Sequence, residues 1–326
     1  MGLGPVGAAI ARQVTARKGM QVVGGVDTDP SKVDRDLGRV IGLARSARLK
    51  VAVDPARALR SARPDVVVIS TGSTLKGLLP LLEQVLKARV PIISTAEELA
   101  YPTRQTRRLW TRIDALARRA RVAVLGTGIN PGFAMDVLPL VLTTPCERVD
   151  AIVVNRVIDA RSRRLPFQQK IGAGLTAAQF AAQVADGSVR HVGFAQSIQM
   201  IAEAMGWRLD RVTEDLAPKY ATETVASEFL AVDRGYVAGL VQDGVGYRRG
   251  RALVRLHMEA YLGAPESSDS VLIEGTPRVS FTIAGGLHGD TGTASVVVNS
   301  IPRLLAAPPG LRTMRDLALP SFQPGG

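Results

Sequence analysis

Cysteine is nearly absent: Cys146 stands alone among 326 residues. An intrachain disulfide is therefore excluded, and with no Cys or His nearby at ligand spacing, so is a structural zinc site. We expect no metal and a reducing compartment, the cytoplasm. Aromatic residues make up only 4% of the chain, and a single one, Trp110, falls within its basic stretches, so a row of stacking platforms of the kind that holds single-stranded nucleic acid is lacking. Apolar runs approaching the roughly 20 residues of a membrane-spanning helix are lacking too, and no signal peptide is visible. Acidic side chains are outnumbered, 29 against 41 Lys and Arg, for a net charge of +12. The excess is mostly arginine, scattered except for concentrations at Arg104–Arg121 and Arg156–Arg164. We expect a solvated basic surface with no nucleic-acid or membrane partner, attraction of an anionic cofactor being the alternative functional reading.

Glycine is plentiful, and its first cluster organises the chain. Gly2-Leu3-Gly4-Pro5-Val6-Gly7 is a Gly-x-Gly-x-x-Gly turn of the kind that seats a dinucleotide pyrophosphate. One glycine permits the tight turn, the next lets the backbone approach the phosphates, and the last lets a helix pack against the sheet. The following helix, read over 8–17, would offer its N-terminal amides to the anion. Such a turn normally follows a buried strand of about five residues, and only Met1 precedes Gly2, so the expected sheet lacks its first strand. Residues 20–26 read as the second strand and end in Asp27, about 20 residues beyond the turn, where a carboxylate accepts hydrogen bonds from an adenosine ribose. A 2′-phosphate would be repelled there, which favours NAD over NADP. The bland alternative is a turn and helix cap over Asp27-Thr28-Asp29-Pro30.

Strands and helices then alternate. Strands are predicted at 50–53, 65–71, 90–95 and 121–125, with helices at 77–88 and 104–119 between them. The ends of these strands collect the remaining candidates. Thr71-Gly72-Ser73 would pass beneath a cofactor, as would Thr95. Glu97 and Glu98 follow at once, a candidate acid/base pair that would equally suit the first turn of a helix. The loop Gly126-Thr127-Gly128-Ile129-Asn130-Pro131-Gly132-Phe133 lets backbone come close to a ligand, or is a plain strand-to-helix turn.

Beyond residue 135 the rhythm changes. Strands are predicted at 149–158, 236–241, 251–262, 271–274 and 278–284, with Asp243-Gly244-Val245-Gly246 as a turn and helices at 177–185 and 193–205. A last helix, 290–305, follows His288 and should return to the first domain. The expected fold is α/β: a Rossmann-type doubly wound parallel sheet over 1–135, completed by 290–326, and a second α+β domain over 136–289 built on a mostly antiparallel sheet. The broad second sheet suits substrate binding and a homodimer interface.

Several segments taken together resemble a known family. Gly2–Gly7, Ser94-Thr95-Ala96-Glu97-Glu98-Leu99 with Tyr101-Pro102, Gly126–Phe133, Lys170-Ile171-Gly172-Ala173-Gly174, and His288-Gly289-Asp290 with Val298-Asn299-Ser300-Ile301-Pro302 look like the 2,4-diaminopentanoate dehydrogenases and related amine dehydrogenases. These enzymes share a dihydrodipicolinate-reductase-like N-terminal domain. The resemblance implies an NAD(P)-dependent oxidoreductase acting on the CH–NH2 group of a small amine or diamino acid, or on the matching ketone in reverse. It implies an acid/base glutamate at Glu98 or Glu97, Glu98 being the first choice. Gly2, Gly4, Pro5, Val6, Gly7, Asp27, Thr71, Gly72, Ser73, Thr95 and Asn130 would hold the cofactor. Gly128, Pro131, Gly132, Phe133 and His288 would meet the substrate, although a lone His before a helix is more often structural. The His-His pair and Asp-Ala-Pro-Ser-Gly-Thr run expected of dihydrodipicolinate reductase itself are absent. Reduction of another imine or carbonyl, and cofactor sensing without turnover, are the rival readings.

Overall fold

A computed structural model describes residues 1–322 and 324. Two compact units divide the chain, Met1–Phe133 with His288–Gly326 and Ala134–Leu287.

The first unit opens with α1 (Pro5–Thr15), whose proline sits at the first helical position, where its missing N–H costs nothing. There follow β1 (Gly25–Val26), α2 (Leu37–Val40), β2 (Val51–Ala52), α3 (Pro55–Ala62), β3 (Val67–Ile69), α4 (Leu75–Lys87), β4 (Ile92–Ser94), a 3-10 turn (Glu97–Leu99), α5 (Arg107–Ala120) and β5 (Ala123–Gly126). Strands β3, β4 and β5 pair in parallel. The aliphatic faces of α4 and α5, including Leu78, Leu82, Ile113 and Ala117, close over Ile69, Ile92 and Val124 to make the core. Strands β1 and β2 form a separate parallel pair.

Where a strand would join β1 to β3, only Met1, Gly2 and Leu3 lie. Gly2 N donates to Val26 O at 2.9 Å and Ser70 N to Met1 O at 2.9 Å, while the Met1 amino group donates to Val68 O at 2.8 Å. The strand predicted over 20–26 is confined to its last two residues, Gly25 and Val26, which are the ones that pair with Val51 and Ala52.

In the second unit, α6 (Val137–Leu142) leads to β6 (Arg148–Asp159), a 3-10 turn (Ala160–Ser162), α7 (Leu165–Lys170), α8 (Ala177–Ala185) and α9 (Phe194–Ala204). Then come β7 (Arg211–Tyr220), β8 (Val225–Ala226), β9 (Ala231–Val232), β10 (Val237–Arg248), β11 (Arg251–Tyr261), β12 (Ser268–Thr276) and β13 (Val279–Ala284). Six strands form one sheet in the order β13-β12-β6-β11-β10-β7, antiparallel except for the parallel β6–β11 pair.

Two expectations fail in this unit. Asp243–Gly246 is no turn but the middle of β10. Its glycines are there because α9 rests on them: a Cβ on Gly244 would stand 2.8 Å from the Phe194 ring, and one on Gly246 2.8 Å from Ile198 Cγ2. The second failure concerns Arg156 and Arg163, expected on a solvated surface, which are 2% and 5% exposed. Arg156 pairs with Asp269 at 3.2 Å and donates to Leu287 O, and Arg163 stacks on Phe167 at 4.0 Å.

The chain then returns to the first unit through α10 (Gly289–Leu305) and β14 (Gly310–Arg312). Helix α10 lies along α1, with Gln13 Nε2 donating to Ser295 Oγ at 3.1 Å, and β14 extends the parallel sheet beyond β5.

Candidate active site

Each parallel strand of the first unit runs toward the same edge, and the loops leaving that edge carry most of the candidate residues. The glycine turn comes first. Gly2 has φ +79° and sits so close to β3 that a Cβ would lie 2.6 Å from Ser70 O, which only glycine tolerates. Gly7 faces inward against the turn, where a Cβ would fall 1.9 Å from Gly2 O. Gly4 is the opposite case: nothing stands within 4 Å of a Cβ there, and it caps α1 without a side-chain hydrogen bond. An open backbone at the start of an 11-residue helix, with first-turn amides that have no intrahelical acceptor, is a fitting cradle for a diphosphate. Pro5 is exposed and Val6 half-buried on the same lip.

Asp27 closes the turn from the β1 side. Its Oδ2 accepts from Leu3 N at 2.6 Å and its Oδ1 from Asp29 N at 2.9 Å. Lys32, which the sequence reading overlooked, approaches Asp27 to 3.5 Å and Asp29 to 3.1 Å. Burial pushes the Asp27 carboxyl up, but the Asp29 and Leu3 amides and the Lys32 ammonium together hold it below its ordinary value. The turn-and-cap role weighed against ribose binding is thus present in the structure. Oδ2 faces both the Leu3 amide and the Lys32 ammonium, while Oδ1 keeps a further lone pair for a ligand hydroxyl.

Thr71 and Gly72 are exposed just beyond β3, with Ser73 half-buried beside them. This loop is tied to the glutamate pair in two ways: Glu98 N donates to Ser73 O at 3.1 Å, and Glu98 Oε2 accepts from Leu75 N at 2.7 Å. Glu98 therefore caps α4, the helix that follows the loop, not a helix of its own. Glu97 sits half-buried on the same 3-10 turn. Thr95 N donates to Ile69 O at 3.0 Å, fixing the start of the turn against β3.

Gly126, named only within a motif from sequence, proves to be the pivot of the edge. A Cβ on it would lie 2.3 Å from the Leu99 carbonyl carbon, so the turn bearing both glutamates packs directly on the end of β5. The loop beyond it, Gly128, Ile129, Asn130, Pro131, Gly132 and Phe133, is buried except for half-buried Asn130 and Phe133. It is held by α10, where Thr293 Oγ1 accepts from Ile129 N at 3.2 Å. His288 takes the structural role: it is exposed and caps α10, its Nδ1 accepting from Thr291 N at 3.4 Å. Among the described residues no cluster of His, Cys, Asp and Glu could hold a metal ion, and no helix is long and apolar enough to cross a membrane.

A glycine cradle at a helix N-terminus, a carboxylate at the end of the next strand and a glutamate pair on the same sheet edge define a nicotinamide-dependent oxidoreductase of the Rossmann class. The model of the 2,4-diaminopentanoate dehydrogenase C-terminal domain matches residues 133–324. The chain is also 32% identical over 327 positions to the 2,4-diaminopentanoate dehydrogenase of Acetoanaerobium sticklandii, covering 98% of this chain and 92% of that one. It belongs to the 2,4-diaminopentanoate dehydrogenase family. It is 26% identical to an amine dehydrogenase of Streptomyces virginiae, with 98% and 95% of the two chains covered. The solved amine dehydrogenase of Mycobacterium smegmatis has the same fold, at TM-score 0.89 and 24% identity over 99% and 96% of the chains.

Proposed function

We propose that this protein catalyses the NAD(P)-dependent interconversion of a small amine or diamino acid with its ketone and ammonia. The observation that carries the reading is the joining of the glutamate turn to both the cofactor-side loop, through Glu98 and Ser73, and the end of β5, through Gly126. A nicotinamide cofactor, held at the Gly2–Gly7 cradle and Asp27, would supply the hydride chemistry. The chain's own part is to seat the cofactor, orient the substrate and move a proton. A carboxylate suits the last task, since it accepts a proton from the ammonium or carbinolamine and stabilises developing iminium charge.

Within the pair, one contact supports reversing the order of preference. Glu98 has one oxygen committed to the α4 amide, which makes it a positioning residue that keeps 71–74 beside the turn. We assign the proton to Glu97, which is half-buried on the same turn. Gly4 and the first turn of α1 would hold the diphosphate, Asp27 the adenosine ribose, Thr71, Gly72, Ser73, Thr95 and Asn130 the nicotinamide, and Gly128 to Phe133 the substrate. NAD is preferred because the Asp27 carboxylate repels a 2′-phosphate, while Lys32 beside it softens that preference. The same proposal includes a cytoplasmic homodimer associating through the second unit's sheet, where Phe281 is 38% exposed.

The test is a substrate panel of short-chain amines, diamino acids and ketones with both cofactors, scored for ammonia dependence. Amine-dependent cofactor reduction, with an ammonia requirement in reverse, is expected. Carbonyl or imine reduction independent of ammonia would favour the reductase rival, and cofactor binding without turnover on any compound would favour a sensor.

A further inference from the structure

Four basic side chains come together inside the second unit, and the register of its sheet shows how. Asp269 of β12 pairs with Arg156 of β6, Arg156 with Met258 of β11, and Met258 with Gln242 of β10. Residues paired across a sheet share a face, so these four form one row, and all are buried. Gln242 grips His191 by both backbone groups, accepting from its N and donating to its O at 3.0 Å each. Arg163 enters from the loop beyond β6. Its carbonyl accepts from buried Gln168 Nε2 at 2.8 Å, and its guanidinium lies over the Phe167 ring. Lys170 is the last residue of α7.

The charges around His191 do not balance. Beyond burial itself, those that act on its ring belong to Lys170, Arg156 and Arg163, all positive. Asp269 faces Arg156, at 3.2 Å, but its other oxygen accepts from Leu287 N at 2.7 Å, and Arg156 in turn donates to Leu287 O. That pair is occupied with holding residue 287. The His191 Nδ1, meanwhile, is out of contact with solvent and has no hydrogen-bond partner among the described residues, a costly state for a polar atom. A planar carboxylate answers both needs, since it brings negative charge and can accept from an imidazole N–H and a guanidinium fork together. Met258 in the row, and Phe194 with its ring 5.7 Å from that of His191, add apolar flanks. Those suit an anion carried on an aliphatic body better than free phosphate.

We propose that Arg156, Arg163, Lys170 and His191 form a carboxylate subsite of the second unit, which receives the carboxylate of a diamino acid substrate, or of its keto acid, and so selects an acid over a plain amine or ketone. The choice of occupant rests on the amine–ketone reading above. His191 donates through Nδ1, the guanidinium groups supply the planar fork, and half-buried Lys170 adds a further positive charge.

Binding is tested first, on the full chain without cofactor, with pentanoate, pentylamine and inorganic phosphate as probes. Pentanoate is expected to raise Tm with concentration and to shift the imidazole resonances of His191, His257 and His288 being the other two of the chain's three histidines and serving as references. Pentylamine and phosphate should do neither. Arg163→Gln and Lys170→Gln should each weaken pentanoate binding about tenfold or more, as expected for a lost charge-assisted hydrogen bond, and Lys170→Arg should restore most of it. Should Arg163→Gln fail to fold, the two Lys170 variants decide. Unshifted His191 resonances, equal affinity in the glutamine variants or an equal response to phosphate would overturn the subsite. Turnover is tested second, with 4-oxopentanoate and pentan-2-one, which differ in a carboxylate against a methyl group. In Lys170→Gln the ratio of kcat/KM for the acid to that for the ketone should fall about tenfold, through KM, and an unchanged ratio would remove the subsite from substrate choice. Pentanoate binding in a protein that turns over none of these compounds would keep the subsite and remove the catalytic reading, whereas turnover blind to the carboxylate would do the reverse.

Discussion

In our proposal the two neighbouring glutamates of one short 3-10 turn have different tasks. Glu98 accepts from the first amide of α4, a contact that a glutamine can still make through its carbonyl oxygen. We therefore expect Glu98→Gln to leave kcat nearly unchanged. Glu98→Ala should lower stability by about 1 kcal/mol, as other lost caps do, and raise the cofactor KM as the 71–74 loop loosens. Glu97→Gln should lower kcat by about 100-fold or more, the usual worth of a positioned acid/base, and remove the corresponding limb of the pH–rate profile. A larger loss in Glu98→Gln than in Glu97→Gln would return the proton to Glu98. Asp27 and Lys32 form the second residue-scale pair. Asp27→Ala frees Leu3 N and removes the ribose acceptor, so the KM for NAD should rise about tenfold or more, in line with a lost charge-assisted hydrogen bond. Lys32→Ala should reduce kcat/KM for NADP more than for NAD, and an unchanged ratio would remove Lys32 from cofactor choice.

Elements place these residues by packing so close that some backbone positions admit no side chain. At Gly126 an added methyl would stand 2.3 Å from Leu99 backbone, and backbone cannot swing aside as a side-chain tip can. Gly126→Ala should therefore displace the Glu97–Leu99 turn, with a loss of about 1–3 kcal/mol typical of overpacking and a fall in kcat. A full-activity, full-stability variant would mean the turn is free of β5. The same logic explains what was legible in the sequence and what was not. Helices such as Ala177–Ala185 and the β-branched strands around Ile69 and Ile92 announce themselves by periodicity. The glycine turn and Asp27 do so by spacing. Gly244 and Gly246 were read as a turn because their reason for being glycine, the face of α9, is distant in sequence. β7 went unread because an edge strand carrying Glu214, Asp215 and Pro218 looks like a loop until its neighbour β10 is known. Lys32 and the α4-capping role of Glu98 were invisible for a like reason: each depends on which segment the fold brings alongside.

For the molecule as a whole, the excess of positive charge does not by itself set the response to acid, because groups whose folded and unfolded pKa values differ do. Below neutrality the clearest is His191. Burial, and then the cations Lys170, Arg156 and Arg163, lower its pKa from 6.5 to about 3, and its Nδ1 is out of contact with solvent. The unfolded chain takes up this proton near pH 6.5 while the folded one does not. Between those values the unfolded state binds more protons, so the His191 contribution is intact above about pH 6.5 and declines as pH falls toward 3. Asp27 acts in the same sense lower down: its folded pKa lies beneath the ordinary 3.8, so its contribution holds above that value and is lost as pH falls through the folded one. Urea midpoints should consequently drop steadily from pH 7 to pH 4. In His191→Leu the backbone pairing with Gln242, at 3.0 Å in both directions, survives, and the ring contact with Phe194 is replaced by an aliphatic one. That variant should show a flatter profile over the same range at a similar pH 7 midpoint. An unchanged slope would mean that the imidazole is protonated in the folded protein and that another group governs its acid stability.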